Sequence, residues 1–190
     1  MIVAMMNTRD IDRILFGDDF TESSFGGTVA RDEFVSLSPR WNGLFVFNTD
    51  DSTEPGKHWV AVQADAEKRE VEFFDTYGRP AEEAFPFVYA SLRDGGYLTR
   101  WENRRAIQGL TSAVCGDYCI YYCLMRGRGA SPERIVETLF SVPDTETRDR
   151  SVRRLILSRY GKDSVTGGLT PAGLRVQGVL SKLAAFGRAS

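Results

Sequence analysis

The strongest constraint on how this chain can fold is a pair of strand-like runs separated by a short polar stretch. Residues 58–64 and 70–75 are rich in Val, Phe and other residues that favour strands, and residues 65–68 between them are polar. A short polar stretch between two such runs is typical of a β-hairpin. Residues 43–48 form a third run of the same kind.

The register of the predicted hairpin follows from its apolar positions. A turn centred between Ala66 and Glu67 puts the apolar residues of both strands on one face, whereas a one-residue slip opposes apolar and polar positions. This register pairs Val60 with Phe73 and Val62 with Val71. It also sets His58 opposite Asp75, with β-carbons about 5 Å apart. A carboxylate at that distance accepts the imidazole N–H, fixes the tautomer and favours the protonated ring.

Helical patterns dominate the second half of the chain. The sequence predicts a further strand from residue 97 and helices over residues 8–16, 81–93 with a break near Pro86, 114–125, 131–140 and 149–160. Strands first and helices later favour an α+β fold over a doubly wound one. We expect a central, mostly antiparallel sheet packed against helices over residues 1–160. Residues 161–190 are predicted to be a Gly-containing linker and a basic tail.

Composition indicates neither a membrane-spanning nor a disulfide-stapled protein. No run approaches the ~18 apolar residues of a membrane-spanning helix, and we expect no signal peptide because the N-terminus lacks a basic flank and a cleavage site. The three cysteines are odd in number and lie within nine residues of one another. They therefore indicate a reducing, intracellular compartment rather than a disulfide framework.

Charge is unevenly distributed along the chain. The net charge of −2 combines +7 over residues 147–190 with −9 over the rest. This asymmetry predicts a basic C-terminal surface that could meet a polyanion such as DNA. The alternative is that much of this charge is the solvated face of one amphipathic helix.

Cys115 and Gly116 stand at the start of the predicted buried helix. A thiol there is close to the positive end of the helix dipole and to free N–H groups, and both favour the thiolate. A neighbouring His58, the only histidine in the chain, would complete an activated thiol. Gly116 would leave room for a substrate backbone. The alternative is that His58 is a surface residue at the end of a strand.

Two further cysteines, Cys119 and Cys123, follow Cys115 at four-residue steps and share its helical stripe. Together with Cys115 and His58 they would supply four zinc ligands, but the closely spaced cysteine pair of a zinc knuckle is absent. We interpret both as small buried hydrophobic residues and expect no metal.

Gln108 precedes Cys115 by seven residues. A side-chain amide just upstream of a nucleophile can stabilise an oxyanion together with the backbone N–H of the nucleophile. Alone the signal is weak, because a glutamine in a loop is usually just solvated.

Three motifs occur in order along the chain: GKHW at residues 56–59, FFDTYG at residues 73–78, and QG followed by SAVCG within residues 108–116. Their order and spacing resemble the adenovirus endopeptidase (adenain) family of cysteine proteases, whose clan also contains SUMO-specific proteases. Seventeen positions separate His58 from Asp75, and seven separate Gln108 from Cys115. The likeness covers roughly residues 10–160.

The resemblance implies an adenain-like fold with the nucleophile at the N-terminus of a buried helix. By resemblance, Cys115 is the nucleophile, His58 the general base, Asp75 its orienting partner and Gln108 the oxyanion donor. The implied substrates are viral or mobile-element precursor polypeptides, cut at Gly-Gly-type sites in the host nucleus or virion. No cofactor is needed for the chemistry itself, but DNA and an activating peptide are implied as accessory factors.

The chain departs from the family at two points. The family's best-known member has Glu where this chain has Asp75, although the shorter acid is usual elsewhere in the clan. Residues 77–107 contain no cysteine, so the resemblance does not extend to an activating peptide held by a disulfide.

Residues 165–169, VTGGL, look like a Gly-Gly-type site within the predicted linker. Self-cleavage after Gly168 would release the tail, or the tail would act as a built-in activator. The alternative is an ordinary flexible linker.

Two other functions fit parts of the sequence. A protease or isopeptidase acting on ubiquitin-like modifiers would use the same residues, but such enzymes usually carry an acidic residue just before the cysteine, where this chain has Val114. A non-catalytic DNA-binding virion protein would explain the basic C-terminal region. It would not explain why His58, Asp75, Gln108 and Cys115 occur together in this order.

Overall fold

The computed structural model describes residues 6–34, 42–54 and 56–161. The predicted tail, including Gly168, lies outside the described residues. In chain order the elements are α1 (Thr8–Phe16), β1 (Phe25–Val29), β2 (Gly43–Asn48), β3 (Trp59–Asp65), β4 (Glu70–Phe74), α2 (Ala81–Ala84), α3 (Pro86–Asp94), β5 (Leu98–Glu102), α4 (Cys115–Gly127), α5 (Pro132–Phe140) and α6 (Thr145–Tyr160).

The strands form a sheet in the order β1-β2-β3-β4-β5. β2, β3 and β4 pair antiparallel, whereas the edge strands β1 and β5 run parallel to β2 and β4. A parallel neighbour needs a crossover connection, which α2 and α3 supply between β4 and β5. The predicted α+β fold with a sheet packed against helices is confirmed, and its antiparallel part is confined to the three central strands.

The hairpin of β3 and β4 is present, but its predicted register is wrong by two residues. The observed pairs include Val62 with Phe73 and Ala64 with Val71. A two-residue shift keeps every side chain on its predicted face, whereas a one-residue shift would not. Continued beyond the strand ends, this register brings Tyr77 opposite His58 and makes Asp75 a diagonal neighbour, which is still within side-chain reach.

The turn of this hairpin explains the error. Asp65 extends β3 instead of joining the loop, and its Oδ1 accepts hydrogen bonds from the backbone N–H groups of Glu67 and Lys68. Arg69 closes the turn in the left-handed region at φ 53°. The side chain of Asp65 thus stabilises a loop centred one residue later than predicted.

β1 is an element that the sequence does not predict. Two of its five residues are glycine, which weakens strand propensity. The fold explains Gly26, because a Cβ at this position would lie 2.0 Å from the ring of Phe45 on β2. β1 therefore depends on packing against β2 more than on its own propensity.

The predicted helices are present, with one notable change of boundary. α2 and α3 are separate at Pro86, as predicted. α6 begins at Thr145, four residues before the predicted start at Asp149. The cause is Asp144, whose side chain accepts a hydrogen bond from the backbone N–H of Thr147 at 2.7 Å. Among the described residues, every helix is too short or too polar to cross a membrane.

The sheet has a helix layer on each face. Successive strand residues point to opposite faces, so Trp59, Ala61 and Phe74 pack against α4, and the ring of Phe74 stacks on Tyr122 at 4.5 Å between centroids. The other face packs against α2 and α3 through Val60, Val62, Val71, Phe73, Phe85 and Val88.

A charged pair of buried Glu72 and partly buried Arg126 joins α4 to the sheet. Glu72 of β4 accepts hydrogen bonds at Oε2 from the Tyr122 hydroxyl at 3.1 Å and from Arg126 Nε at 2.9 Å. Arg126 also donates to the carbonyl of Ala130, just before α5. A buried charge is tolerated when it is paired and hydrogen-bonded in this way.

Glu72→Gln should lower the free energy of unfolding by about 3 kcal/mol, because it leaves the partly buried Arg126 guanidinium without its counter-charge. The matched control is Glu70→Gln on the same strand. Glu70 is more exposed and lies 3.8 Å from Arg100, so its loss should change stability little. Urea unfolding followed by circular dichroism measures both. Equal effects of the two substitutions would contradict this account.

Candidate active site

His58 stands immediately before β3 and is only 5% exposed. Its backbone carbonyl accepts a hydrogen bond from the N–H of Thr49 at 3.0 Å, which continues the pairing of β2 with β3. Its ring stacks on Tyr77 with centroids 4.6 Å apart. The backbone and the ring of this histidine are therefore both fixed.

Asp75 follows the end of β4 and is held at every polar atom of its side chain. Its Oδ1 lies 2.6 Å from His58 Nε2 and accepts the backbone N–H of Tyr77 at 3.0 Å. Its Oδ2 accepts from Arg79 Nε at 2.9 Å. Its backbone carbonyl accepts from Asn103 Nδ2 at 2.7 Å. These contacts leave the carboxylate one orientation, which faces His58.

The two partners shift one another's pKa in opposite directions. Burial alone would lower the pKa of His58, but the hydrogen bond to Asp75 and the interaction with Cys115 outweigh it, so the pKa is raised. Burial alone would raise the pKa of Asp75, but His58, the Tyr77 N–H and Arg79 hold it below its ordinary value. Both shifts favour an imidazolium beside a carboxylate.

Cys115 is the first residue of α4 and is 3% exposed. The preceding residue, Val114, provides no side-chain cap, and the first-turn N–H groups of a helix have no partner within the helix. His58 Nδ1, the ring nitrogen that does not contact Asp75, is buried and makes no hydrogen bond among the described residues. The thiol of Cys115 interacts with this imidazole and contributes to its raised pKa. The fold thus brings Cys115, His58 and Asp75 together.

The space beside Gly116 is filled by the chain itself. A Cβ at this position would lie 2.8 Å from Met6 Cβ and 3.3 Å from Trp59 Cδ1. Trp59 Nε1 donates to the backbone carbonyl of Met6 at 3.2 Å. The close neighbours that require glycine here are Met6 and Trp59, whereas the sequence predicted a substrate backbone.

Gln108 is 3% exposed, and its side-chain amide is fixed by three neighbours. Its Oε1 accepts from Thr76 Oγ1 at 2.9 Å. Its Nε2 donates to the Ser112 carbonyl at 2.5 Å and, over a longer 3.5 Å, to the hydroxyl of Tyr77. A glutamine held in this way is not an ordinary solvated loop residue.

Three residues that follow Asp75 make contacts in the site that the sequence does not predict. Thr76 and Tyr77 link Asp75 and His58 to Gln108, and Arg79 holds the second carboxylate oxygen of Asp75. Their position directly after Asp75 in the FFDTYGR stretch was the only available signal.

Asp117 places a second buried carboxyl group two residues after Cys115. Burial raises its pKa to about 6, against the opposing effect of Arg153. Arg153 Nη1 lies 3.3 Å from Asp117 Oδ2. An acid in the first turn of a helix is ordinarily solvated, so its burial is not readable from the sequence.

Cys119 and Cys123 are fully buried in the core on the α4 side of the sheet. Burial raises the pKa of both thiols well above the ordinary value. Within the described residues, no group of three or more His, Cys, Asp and Glu side chains is arranged to hold a metal ion. Their surroundings match the predicted role of small hydrophobic residues.

Some of the arginines of the basic C-terminal region are buried or paired within the protein. Of the five arginines on α6, Arg148 is buried and Arg153 pairs with Asp117. Arg150, Arg154 and Arg159 are exposed. The remaining basic residues of the predicted surface lie outside the described residues.

Solved structures align with this chain at low sequence identity. The crystal structure of the ASFV pS273R protease aligns with a TM-score of 0.51 at 17% sequence identity, covering 77% of this chain. A selenomethionine form of the same protease aligns at 0.48 and 18% identity, covering 77% of this chain and 65% of that one. The central domain of an uncharacterised Legionella pneumophila protein aligns at 0.44 and 15% identity, covering 81% of this chain and 99% of that domain.

The chain spans 64% of the length of the ASFV protease in the first of these structures. Neither protein-family models nor curated proteins give a match. At this low identity, the likeness shows that the chain has the fold of a protease. It does not extend to the activity or the substrates of that protease.

The His58–Asp75 pair should stabilise the fold most at intermediate pH. The pKa of Asp75 is lowered, so its contribution is present above the ordinary value of 3.8 and is lost as pH falls through the lowered pKa. The pKa of His58 is raised, so its contribution is present below 6.5 and is lost as pH rises through the raised pKa. We expect the difference in Tm between wild type and Asp75→Asn to peak between these ordinary values.

Thermal unfolding across about pH 3 to pH 9 measures this difference. Because other titrating groups are common to both proteins, they largely cancel. A difference that stays flat over the whole range would mean that the pair is not ionised in the folded state.

Proposed function

We propose that this chain is a cysteine endopeptidase that cleaves polypeptides through Cys115, His58 and Asp75. The observation that carries the proposal is the 2.6 Å contact of His58 Nε2 with Asp75 Oδ1, which leaves Nδ1 for the thiol of Cys115 at a helix N-terminus. The protease fold supports the same reading. The resemblance of the ordered motifs to adenain adds Gly-Gly-type sites in viral or mobile-element precursors as the substrate class.

The proposed reaction begins with proton transfer from Cys115 Sγ to His58 Nδ1. The thiolate attacks the peptide carbonyl carbon, a C–S bond forms, and the carbonyl electrons move to oxygen. When the tetrahedral intermediate collapses, the C–N bond breaks and the leaving amine takes the proton from His58 Nδ1. Water then attacks the thioester while His58 accepts its proton, and the C–S bond breaks to release the acid.

Asp75 stabilises the imidazolium in each of these steps. Because it contacts Nε2, it leaves Nδ1 as the ring nitrogen that exchanges a proton with the thiol. Its second oxygen is engaged by Arg79, so the carboxylate does not need to rotate when the ring gains or loses its proton.

The oxyanion would be bound by the backbone N–H of Cys115 and by the Gln108 amide. The Gln108 Nε2 group has two N–H bonds, and one is committed to the Ser112 carbonyl. The other makes only the long contact with Tyr77, so it is the N–H that would donate to a developing negative charge.

The burial of the site favours small residues next to the scissile bond. Cys115 and His58 are 3% and 5% exposed, and Met6 and Trp59 fill the space beside Gly116. Glycine has no side chain and approaches such a nucleophile most closely. This supports the proposed Gly-Gly specificity independently of the resemblance.

DNA and an activating peptide are proposed as accessory factors, with action in the host nucleus or virion. The exposed Arg150, Arg154 and Arg159 of α6 supply basic surface for a phosphate backbone. Two other arginines of α6 do not contribute to this surface, because Arg148 is buried and Arg153 is paired with Asp117.

The direct test is hydrolysis of a fluorogenic peptide that ends in Gly-Gly before the scissile bond, with and without DNA. Cys115→Ala and His58→Ala should each lower kcat/KM by about 1,000-fold or more, because nucleophile and base act as a unit. Cys119→Ala is the matched control: the same substitution one helical turn away, in the core, should leave the activity intact.

Equal cleavage by wild type and Cys115→Ala would contradict the proposal. Wild type that neither cleaves nor reacts with iodoacetamide at Cys115 would also contradict it, and strong salt-sensitive DNA binding would then favour a non-catalytic role. Preferential cleavage of a ubiquitin-like modifier substrate over the peptide would favour the isopeptidase alternative.

A further inference from the structure

Asp149 of α6 is a buried carboxylate outside the proposed catalytic group, and both of its oxygens are engaged. Its Oδ2 accepts the backbone N–H of Gly109 at 3.1 Å. Its Oδ1 accepts the hydroxyl of Tyr118 at 2.8 Å. Gly109 directly follows Gln108, and Tyr118 lies one helical turn after Cys115. One side chain therefore spans the two segments that would carry the oxyanion donors.

The preceding residue, Arg148, fixes the other side of Gln108. Its guanidinium is buried and donates through Nη1 to the carbonyl of Ile107 at 2.7 Å. The same group donates to the carbonyls of Leu139 and Val142, so it is itself held. Arg148 and Asp149 thus form hydrogen bonds with the backbone immediately before and after Gln108.

The backbone of Gln108 is held from the opposite side as well. The N–H groups of Ile107 and Gln108 both donate to the carbonyl of Thr76, at 2.8 and 3.2 Å. Thr76 directly follows Asp75. The Gln108 backbone is therefore held on one side by the segment that carries Asp75 and on the other side by α6. The position of the Gln108 amide relative to Cys115 therefore depends on α6 through Asp149.

We propose that Asp149, supported by Arg148, is a positioning residue for the oxyanion site. It would keep the Gln108 amide and the Cys115 N–H at a fixed separation. The inference rests on the proposed function, and it assigns α6 a part in catalysis in addition to any role as a basic surface. Misplacement of a reacting or binding group by about 1 Å can cost on the order of 100-fold in rate.

Asp149→Asn is the substitution of choice because it keeps the shape of the side chain but removes one acceptor and the negative charge. We expect kcat for the Gly-Gly peptide to fall by about 10- to 100-fold with KM nearly unchanged. The matched control is Glu146→Gln, the same change on an exposed residue of the same helix, which should leave kcat unchanged.

Alkylation of Cys115 by iodoacetamide separates positioning of the oxyanion site from general damage. Displacement of iodide creates no oxyanion, so Asp149→Asn should react at the wild-type rate although its kcat has fallen. A parallel loss of alkylation and kcat would overturn the proposal, because it would mean that the Cys115–His58 pair itself is disturbed.

A double-mutant cycle with Gln108→Ala tests whether Asp149 acts through Gln108. In that background the added cost of Asp149→Asn should shrink to less than about threefold. The same fold-loss in both backgrounds, or an unchanged kcat for Asp149→Asn alone, would overturn the inference. If Asp149→Asn does not fold, Tyr118→Phe replaces it, because it removes one of the two hydrogen bonds to Asp149. The same double-mutant cycle with Gln108→Ala is then measured, and the same two outcomes would overturn the inference.

These results are distinguishable from failure of the proposed function. Wild type that neither cleaves the peptide nor reacts at Cys115 overturns the proposed function and this inference with it. Wild-type cleavage that depends on Cys115, with Asp149→Asn behaving like wild type, overturns this inference alone.

Discussion

The complete burial of the first ten residues of α4 is the constraint on which the rest of this structure depends. The helix packs on β3 and is enclosed by α1, α5 and α6, and the Glu72–Arg126 pair fastens its far end to the sheet. A helix enclosed in this way cannot slide or rotate without opening the core. Its N-terminus, and therefore Cys115, is fixed beside the strand ends that carry His58 and Asp75.

Local sequence patterns predicted the fold class, the central strands and most of the helices. Side chains along a strand point alternately to the two faces of the sheet, so a shift of two residues returns each side chain to the same face. Val60, Val62 and Phe73 therefore lie on the predicted face despite the error in register. The contact of His58 with Asp75 also survives the error, since both residues lie beyond the strand ends, where a diagonal neighbour can be reached. The register depends on the Asp65 side chain, which caps the turn through the N–H groups of Glu67 and Lys68 and which the apolar pattern does not report.

What the sequence could not show depends on contacts between distant residues. β1 has weak strand propensity and is stabilised by the fit of Gly26 against Phe45. Arg148 and Asp149 look like polar positions near the start of a basic helix, yet both are buried and contact residues 41 and 40 positions away. Propensity and periodicity report on neighbours along the chain. The motif that contains Gln108 can be read from the sequence. The hydrogen bonds with Arg148 and Asp149 that hold the backbone around Gln108 are visible only in the folded chain.

The most direct test of the central claim, a coupled unit of Cys115, His58 and Asp75, is an NMR pH titration of the imidazole. Since His58 is the only histidine, its ring signals need no assignment by mutation. The account predicts a pKa above the ordinary value of about 6.5, with Asp75→Asn and Cys115→Ser each lowering it, because both partners raise it. A titration at or below the ordinary value that neither substitution moves would contradict the claim.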